Sequence, residues 1–415
     1  MRDLLGSEAQ AFTGVLGKAR ETAALYGYQE VITPVVESLE LLSAKSGEEI
    51  RQRMFIFKDL GERSVALRPE FTASIARLVS TTMKNDPKPL RLFSVGSVYR
   101  YDEPQRGRYR EFWQANYELM GSTRPEADAE IILLTNSFLG SLGLRSYEFK
   151  LGHVGVLRGI LNQENVEETT QNAILQHMDK KEYAEAFKLA PSDKCRTMLE
   201  GLLKLQRDNC FETVEKVKQY VSGYEKAEAA AANLCDILTL LTGSGCPVRM
   251  VDPVFARGLE YYTGMIFEVY IPQLEVALGG GGRYDRLIEL FGGEPTPAVG
   301  VAEGIDRIAL ALQEQKAAVL SKPARRVLVL AVNESLKVEA LKIAHLLRSS
   351  EVVVEFEVMG RKMTKALEDA DKRKIDYAII IGDRELKEGA VMLKNLAKRD
   401  QAIVKVKQLI EKIKN

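Results

Sequence analysis

Arginine is concentrated in one short stretch of this sequence. Arg100, Arg108 and Arg110 bracket a charged segment, and Glu103 lies beside them. A guanidinium group can donate two parallel hydrogen bonds to a phosphate, and a carboxylate can accept from an amino group such as that of adenine. The stretch therefore predicts a site for a phosphate or a nucleotide, although a solvated charged hairpin would use the same residues.

A second group of chemically useful residues is the peptide RGLEYYTG, residues 257–264. Gly258 lets the backbone approach a ligand closely, and two adjacent tyrosines offer flat walls with polar tips. Arg257 is suited to oppose negative charge that develops on a carboxylate or a phosphate. The alternative is an ordinary strand at a sheet edge that carries a surface arginine.

Two glycine-rich peptides follow further along the chain. The first has four consecutive glycines, residues 279–282, which leave room for something flat or bulky; a flexible turn is the alternative. It matches neither the GxGxxG pattern nor the P-loop pattern of phosphate binding. The second peptide, residues 300–307, ends in Arg307 at the predicted start of a helix, where the helix N-terminus and the guanidinium group both favour an anion.

One acidic residue nearer the N-terminus also suits this chemistry. Glu70 and Thr72 are two residues apart in the peptide LRPEFTA, so on a strand they would share one face. A carboxylate in that position could hold an ammonium group. A surface pair is the alternative.

Histidine and cysteine are too scarce to carry the chemistry. The three histidines lie far apart, and the four cysteines, Cys195, Cys210, Cys235 and Cys246, include no CxxC pair, so a zinc site is not expected. No GxSxG elbow is present, which argues against a Ser-His-Asp triad. We interpret the cysteines as reduced core thiols, and any catalysis must rest on Arg, Glu, Gln and Tyr.

The composition is that of an ordinary globular protein. The chain has 415 residues with 58 basic and 58 acidic side chains, so a surface that is uniformly basic for nucleic acid is excluded. The length predicts about two to four domains. No stretch approaches the roughly 20 apolar residues that span a bilayer, and the first residues lack the apolar core of a signal peptide. We therefore expect a cytoplasmic protein without a membrane segment.

The chain divides into four stretches with different secondary-structure patterns, and these must position the residues described above. Residues 1–155 mix helices and strands, residues 156–248 are dominated by helical patterns, and residues 249–318 return to strands. After a linker, residues 325–415 alternate strand and helix, which is typical of a small sheet covered by helices. From Lys322 onward, 21 basic and 14 acidic residues give a net charge of +7, which is compatible with an RNA-facing domain.

The arginine-rich stretch lies between two predicted strands. These strands are residues 91–101 and 112–121, and the segment between them contains Pro and Gly. The pattern predicts an antiparallel hairpin with the arginines near its tip.

Taken together and in this order, the peptides resemble those of class II aminoacyl-tRNA synthetases. The hairpin is similar to motif 2, the strand at residues 27–37 with Pro34 to motif 1, and residues 300–310 to motif 3. RGLEYYT and LGGGGRYD are similar to the two signature peptides of the histidyl-tRNA synthetase family, as is the form of the hairpin, YRYDEPQRGRYREFWQ. The resemblance covers nearly the whole chain.

The resemblance implies a fold and a domain organisation. The class has an α/β (α+β) catalytic domain built on an antiparallel sheet, which is expected at residues 1–155 and 249–318. A helical insertion would occupy residues 156–248, and an α/β anticodon-binding domain would occupy residues 325–415. Motif 1 builds the dimer interface in this class, so the resemblance also implies a homodimer.

The resemblance also implies roles for individual residues. Arg257 and Arg100 would be catalytic. ATP would be bound by Arg100, Glu103, Arg108 and Arg307. Histidine would be bound by Glu70, Thr72, Gln114, Glu118, Tyr261 and Tyr262. Gln105 and Arg106 would face the acceptor end of tRNA, and the glycines at 279–282 would make room for the substrate.

The implied activity is activation of histidine with ATP and Mg²⁺, followed by transfer of histidine to the 3′ end of tRNA(His), without zinc. A carboxylate that attacks a phosphate needs no general base, because it is already ionised at pH 7. The alternative is the family's regulatory paralogue, a binding module for ATP phosphoribosyltransferase in histidine biosynthesis. The presence of Arg257 and of the module at 326–415 argues against that alternative.

Three positions depart from the family's pattern. Trp113 stands where His or Tyr is usual and would make that wall of the pocket bulkier. Phe71 occupies a site that is often Gly, and Asp306 replaces a usual Glu before Arg307. These departures bear on the geometry of the pocket and not on the class.

Overall fold

The structure is a computed structural model that describes residues 2–44, 47–103, 105–206, 209–272, 274, 277–317 and 325–414. These residues fold into two compact units, Met1–Leu320 and Ser321–Asn415, which we name the body and the C-terminal unit. The predicted linker, residues 315–324, lies for the most part outside the described residues.

The body is built on a large sheet. Its strands are β1 (Gln29–Glu30), β2 (Val36–Ser38), β3 (Ile56–Lys58), β4 (Ser64–Leu67), β5 (Leu90–Tyr99), β6 (Glu111–Met120), β7 (Glu148–His153), β8 (Val248–Val251), β9 (Met265–Tyr270), β10 (Gly279–Arg283) and β11 (Ala298–Gly304). Eight of them form one sheet in the order β1-β5-β6-β11-β10-β9-β7-β8, and a smaller sheet has the order β2-β4-β3. The pairs from β5 to β7 are antiparallel, whereas β1 and β8 join the edges in parallel. The predicted antiparallel sheet is therefore confirmed.

Helices cover this sheet and fill a long segment between two of its strands. They are α1 (Gly6–Leu25), α2 (Leu39–Ser43), α3 (Glu48–Gln52), α4 (Thr72–Thr81), α5 (Pro125–Ser141), α6 (Val154–Gln163), α7 (Glu168–Asp179), α8 (Tyr183–Lys188), α9 (Asp193–Leu203), α10 (Cys210–Tyr220), α11 (Glu225–Gly243), α12 (Leu287–Leu290) and α13 (Ile305–Glu314). The helices α6 to α11 follow one another between β7 and β8. The four cysteines lie in or just after these helices as free thiols, two buried and two half-buried.

The hairpin of β5 and β6 shows how the sheet separates core from site. Side chains alternate between the two faces of a strand. Tyr117 and Leu119 of β6 therefore lie in the hydrophobic core with Phe267 of β9, where each fully buried side chain of this size contributes about 2 kcal/mol. Glu118, between them in sequence, points to the opposite face.

The C-terminal unit alternates strands and helices as predicted. Its elements are β12 (Arg326–Ala331), α14 (Lys337–Arg348), β13 (Val353–Phe356), α15 (Met363–Lys372), β14 (Tyr377–Ile381), α16 (Asp383–Lys387), β15 (Ala390–Asn395), β16 (Asp400–Lys405) and α17 (Leu409–Lys414). The sheet order is β13-β12-β14-β15-β16, parallel around β12 and antiparallel beyond β14. Strand–helix–strand units give the parallel part because a helix must carry the chain back between parallel strands.

Candidate active site

A cavity lies on the face of the body sheet opposite to the core of Tyr117 and Leu119. Its floor includes β6, β11 and β10, where Glu118 is paired with Gly300 and Gly300 with Gly282. Because the glycines carry no side chains, the centre of the floor is bare backbone. A Cβ atom on Gly300 would lie 1.6 Å from Oε2 of Glu118, and one on Gly282 would lie 2.4 Å from a backbone carbonyl oxygen of β9. Close packing of the floor therefore requires glycine at both positions.

The glycine run 279–282 is a strand, so the flexible turn considered from the sequence is wrong. The run forms most of β10, which pairs with β9 on one side and β11 on the other. Because neighbours on a strand point to opposite faces, Gly280 and Gly282 face the cavity. A Cβ on Gly279 would instead lie 1.9 Å from Oε2 of the fully buried Glu303. Two of the glycines, Gly280 and Gly282, thus form part of the cavity floor, while the other two allow close packing on the opposite face of the sheet.

One end of the cavity is built from carboxylates and hydroxyls. Thr72, the first residue of α4, donates from Oγ1 to Oε1 of Glu118 at 2.8 Å, and the Tyr284 hydroxyl donates to the other oxygen of that carboxyl group. The Tyr261 hydroxyl donates to Oε2 of Glu70 at 3.0 Å. Glu70 lies in the loop before α4 and Thr72 begins that helix, so the two residues do not share the face of a strand, although both line the cavity.

Burial controls protonation at this carboxylate end. Burial raises the pKa of Glu118 to about 7, against hydrogen bonds that favour its ionised form. Burial also raises the pKa of Glu70, and the positive charge of Arg100 opposes that shift. The pKa of Tyr262 is raised to about 12 by burial, so its hydroxyl is protonated at neutral pH. This end therefore suits a polar ligand that brings N–H donors.

The other end of the cavity is a cluster of four arginines, Arg100, Arg108, Arg257 and Arg307. The pKa of Arg307 is lowered to about 10, first by burial and then by repulsion from the other three. Arg307 lies in the first turn of α13, and its Nη1 donates to the carbonyl oxygen of Ala277 at 2.8 Å. Because cations held this close are stabilised when an anion joins them, the arginine end is suited to a polyanion.

Two of these arginines are held by neighbouring groups. Nε of Arg100 donates to the carbonyl oxygen of Pro69 at 3.0 Å, and Arg257 forms an ion pair with Glu268. The guanidinium carbon of Arg100 lies 5.5 Å from the ring centre of Phe112, a residue of β6 that lines the cavity. Phe112 therefore offers a flat wall next to the cations.

The structure separates the predicted site residues into two groups. Glu103, Gln105 and Arg106, near the hairpin tip, are exposed and do not line the cavity. Arg106 forms an ion pair with Glu314 at the end of α13. The other predicted residues meet in the one cavity; they are Glu70, Thr72, Arg100, Arg108, Gln114, Glu118, Arg257, Tyr261, Tyr262 and Arg307.

The predicted effect of Trp113 on the pocket is wrong, and Gln114 faces the pocket instead. The Trp113 ring packs edge-on against Phe12, with ring centres 5.8 Å apart, against the hydrophobic core. Gln114 points to the opposite face of β6, and its Oε1 is buried without a hydrogen-bond partner among the described residues. An unpaired buried acceptor costs about 1–3 kcal/mol, so Gln114 is suited to accept a hydrogen bond from a ligand.

Sequence reasoning missed several polar residues of the cavity, among them Tyr284, Glu268 and Asp179. Tyr284 is part of the peptide LGGGGRYD, so its place next to the glycine run was a usable signal. Glu268 belongs to β9 and Asp179 ends α7. No local pattern shows that these distant elements meet.

Neither a metal cluster nor a membrane helix is found in the described part of the chain. There, no three His, Cys, Asp or Glu side chains are grouped so that they could hold a metal ion. None of the helices described there combines the length and the apolar character needed to cross a membrane.

The large, mainly antiparallel sheet is that of a class II aminoacyl-tRNA synthetase. A family model described as histidyl-tRNA synthetase matches residues 1–308, and one described as an anticodon binding domain matches residues 326–415. The chain therefore belongs to the histidyl-tRNA synthetase family.

Curated relatives match this chain along its full length. The histidine–tRNA ligase of Methanocaldococcus jannaschii is 38% identical over 415 residues, which cover 98% of this chain and 97% of the relative. The histidine–tRNA ligase of Sulfolobus acidocaldarius is 38% identical over 412 residues, which cover 99% of this chain and 96% of the relative. The likeness therefore includes the C-terminal unit.

Solved structures agree with this fold. A Bacillus halodurans protein described as an ATP phosphoribosyltransferase regulatory subunit/histidyl-tRNA synthetase has a TM-score of 0.76 and 28% identity, and the match covers 89% of this chain and 94% of the other. The histidyl-tRNA synthetase of Nostoc sp. PCC 7120 has a TM-score of 0.79 and covers 100% of this chain and 97% of its own, and at 24% identity it shows the fold alone. The predicted α/β fold class is confirmed.

Proposed function

We propose that the protein is a histidine–tRNA ligase. It activates histidine with ATP to give histidyl-adenylate and pyrophosphate, and it then transfers histidine to the 3′ end of tRNA(His). The observation that carries the proposal is one cavity with two opposed ends, a buried network of carboxyl and hydroxyl groups and a cluster of four arginines. Full-length relatives that bear the name histidine–tRNA ligase support it.

Histidine occupies the carboxylate end. Glu70, Thr72 and Gln114 hold its ammonium and carboxylate groups, and the unpaired Oε1 of Gln114 gains a partner in this way. Glu118 and Tyr262 form hydrogen bonds with the imidazole ring, with Tyr261 beside them. Glu118 already accepts two hydrogen bonds from the protein, so its carboxyl group is fixed in direction before the ring arrives.

ATP, with its Mg²⁺ as part of the substrate, occupies the arginine end. Arg100 binds the α-phosphate, Arg307 binds the γ-phosphate end with Arg108 beside it, and Glu103 accepts from the adenine amino group. The cluster supports the phosphate roles because an anion relieves its internal repulsion. Glu103 is exposed outside the cavity, so its role requires the hairpin tip to move inward over the adenine.

The first reaction needs charge neutralisation and no base. A carboxylate oxygen of histidine attacks the α-phosphorus, and the bond from that phosphorus to the oxygen of pyrophosphate breaks. Arg257 and Arg100 are the catalytic residues, because they reduce the repulsion between the two anions and oppose the charge of the transition state. A terminal hydroxyl of tRNA then attacks the carbonyl carbon of the adenylate and AMP leaves.

The remaining parts of the chain are assigned to tRNA. Gln105 and Arg106, exposed at the hairpin tip, face the acceptor end, and the basic C-terminal unit binds the anticodon region. The reaction takes place in the cytoplasm and involves no membrane. The proposed domains are the catalytic domain at 1–155 and 249–318, the helical insertion at 156–248 and the anticodon-binding domain at 325–415.

A homodimer is also part of the proposal. The small sheet exposes apolar side chains of Val36 on β2 and of Ile56 and Phe57 on β3. Ile32, in the motif 1 stretch between β1 and β2, is exposed as well. Exposed apolar side chains are often covered by a partner, and a second copy of the chain would cover these. Sedimentation equilibrium at micromolar concentration should give twice the chain mass of 46.3 kDa, whereas the mass of one chain would contradict the dimer.

The function is tested by ATP–pyrophosphate exchange with each of the twenty amino acids in turn. Exchange with histidine alone is expected, and exchange with a different amino acid would overturn the specificity. The regulatory paralogue is disfavoured, because full-length ligases and an anticodon binding model match this chain. If no amino acid supports exchange, the ligase proposal is wrong, and binding to ATP phosphoribosyltransferase in a pull-down would then establish the paralogue.

A further inference from the structure

The side chain of Arg2 joins two elements that border the cavity. Its Nη2 donates to Oδ1 of Asp306 at 2.8 Å, and its Nη1 donates to the hydroxyl of Tyr109 at 3.0 Å. The guanidinium group also stacks on the Tyr109 ring, 4.2 Å from the ring centre, and Glu8 lies 3.4 Å from Nη1. Arg2 thereby connects the hairpin to the first turn of α13.

The two residues that Arg2 holds are sequence neighbours of two arginines in the cluster. Tyr109 follows Arg108, and Asp306 precedes Arg307. The second carboxylate oxygen of Asp306 accepts from the backbone N–H of Trp113 at 2.7 Å, so the same carboxylate also fixes α13 to β6. Loss of these contacts would therefore change the spacing of two cations that line the cavity.

The arginines of the cluster repel one another, so without a fixed contact Arg108 and Arg307 would tend to move apart. Burial and repulsion from Arg100, Arg108 and Arg257 together lower the pKa of Arg307. Groups whose positions are fixed before binding lose less entropy when the ligand arrives. Contacts that hold Arg108 and Arg307 at a fixed distance therefore strengthen the binding of a polyanion.

We propose that Arg2 is a positioning residue that fixes the spacing of Arg108 and Arg307 before ATP binds. Arg2 does not line the cavity, so it acts through Tyr109 and Asp306 and not by contact with the substrate. The inference rests on the proposed function, because it treats the arginine end as the ATP site.

The test is Arg2→Ala in the full-length protein, with KM for ATP, KM for histidine and the thermal midpoint measured together. Losing the charged contacts should raise KM for ATP about tenfold. KM for histidine should change by less than about twofold, because substitutions away from a site have small effects. Arg20→Ala is the matched control, since Arg20 also pairs with a carboxylate, that of Glu30. Unlike Asp306, the partner of Arg2, Glu30 does not line the cavity. Arg20→Ala should leave both KM values unchanged.

Two further variants separate positioning from simple packing. Arg2→Lys keeps a charge for Asp306 but loses the planar stack on Tyr109, so KM for ATP should rise less than with alanine. Tyr109→Phe removes only the hydroxyl and should raise KM for ATP about threefold.

Three results would overturn the inference. They are equal increases in both KM values, a lower thermal midpoint without a change in KM for ATP, and behaviour of Arg2→Ala like that of Arg20→Ala. Absence of exchange in the unsubstituted protein with every amino acid would instead overturn the proposed function, so the two failures are distinguishable.

Discussion

The polar groups at the two ends of the cavity differ in whether the protein itself supplies their partners. At the carboxylate end, Glu70 and Glu118 both accept hydrogen bonds from hydroxyl groups of the protein itself. At the arginine end, burial and mutual repulsion lower the pKa of Arg307 to about 10. The carboxyl groups at one end therefore already have hydrogen-bond partners within the protein, whereas the cations at the other end repel one another.

This difference explains how one pocket can treat two substrates differently. A buried hydrogen-bond network has a fixed shape and rejects a ligand that leaves its groups unpaired. A cluster of like charges discriminates less by shape and gains energy from any ligand with enough negative charge. We therefore expect amino-acid specificity to reside at the carboxylate end, and nucleotide binding and charge neutralisation at the arginine end.

The largest loss of activity should come from Arg257→Ala, which removes one of the four cations from the arginine end. The change removes a cation that we place beside the charge that develops on the reacting phosphate, so histidine-dependent exchange should fall roughly 1000-fold. ATP should still bind, because three arginines of the cluster stay in place. Exchange and calorimetric ATP binding are the measurements, and near-normal exchange would refute the catalytic role.

The hairpin supplies a matched control for that substitution. Arg110 belongs to the arginine-rich stretch that also contains Arg100 and Arg108. It does not line the cavity, and it stacks on the Tyr101 ring, 4.0 Å from the ring centre. Arg110→Ala should therefore keep most of the exchange activity. An equal loss in both variants would mean that general disturbance of positive charge, and not the position of Arg257, causes the effect.

A smaller effect should follow from filling the bare floor with Gly300→Ala. The new methyl group would overlap Oε2 of Glu118, so the carboxylate end must rearrange, and overpacking of this kind costs roughly 1–3 kcal/mol of unfolding free energy. Histidine activation should fall as well, since the partners of Glu118 move with it. Urea unfolding and KM for histidine are the measurements.

Gly17→Ala is the control for the floor. Gly17 lies inside α1, and a Cβ there would meet nothing within 4 Å. Alanine should stabilise the helix by about 0.5–1 kcal/mol and leave activity unchanged. If Gly300→Ala proves as harmless as Gly17→Ala, the floor is not tightly packed against Glu118.

The last prediction concerns the pH dependence of stability in Glu118→Gln. The pKa of Glu118 is about 7 in the folded protein and 4.5 without burial, so the folded state retains a proton that the unfolded chain releases between these values. This contribution to stability is complete below pH 4.5 and is lost as the pH rises through 7. The unfolding free energy of the unsubstituted protein should therefore fall by roughly 2 kcal/mol more between pH 5 and 8 than that of the variant.

Denaturant unfolding at pH 5 and pH 8 provides the comparison. Glu303 also has a pKa raised to about 7 by burial, but it is present in both proteins, so the difference in slope isolates Glu118. Parallel stability curves for the two proteins would show that Glu118 is ionised in the folded state throughout this range.

The sequence predicted the elements whose side chains show a regular period. The strands predicted at 91–101 and 112–121 are β5 and β6 within two residues at each end. In the C-terminal unit, where the sequence predicted alternating strands and helices, α14 has Ile343 and Leu347 buried one turn apart on the same face. The sequence did not show that the glycine run is a strand, because glycine has no side chain to show alternation, and the pairing of β10 with two neighbours depends on tertiary structure.

Site residues could be predicted where they belong to short recognisable peptides. They could not be predicted where the site depends on contacts between elements far apart in the sequence. Glu118 and Tyr262 belong to peptides with recognisable patterns, and both reach the cavity. The contact between Arg2 and Asp306 joins residues 304 positions apart. Because such a contact depends on the packing of α13 against the hairpin, no local pattern could show it.

The bare floor also has a consequence for inhibitors and for resistance to them. A flat compound that lies on β10 and β11 would contact backbone atoms there. A substitution that excludes it must place a side chain into space that Glu118 or neighbouring carbonyl groups already occupy. Such a mutation damages the enzyme before it repels the compound. Resistance should therefore arise at the rim of the cavity and spare its floor.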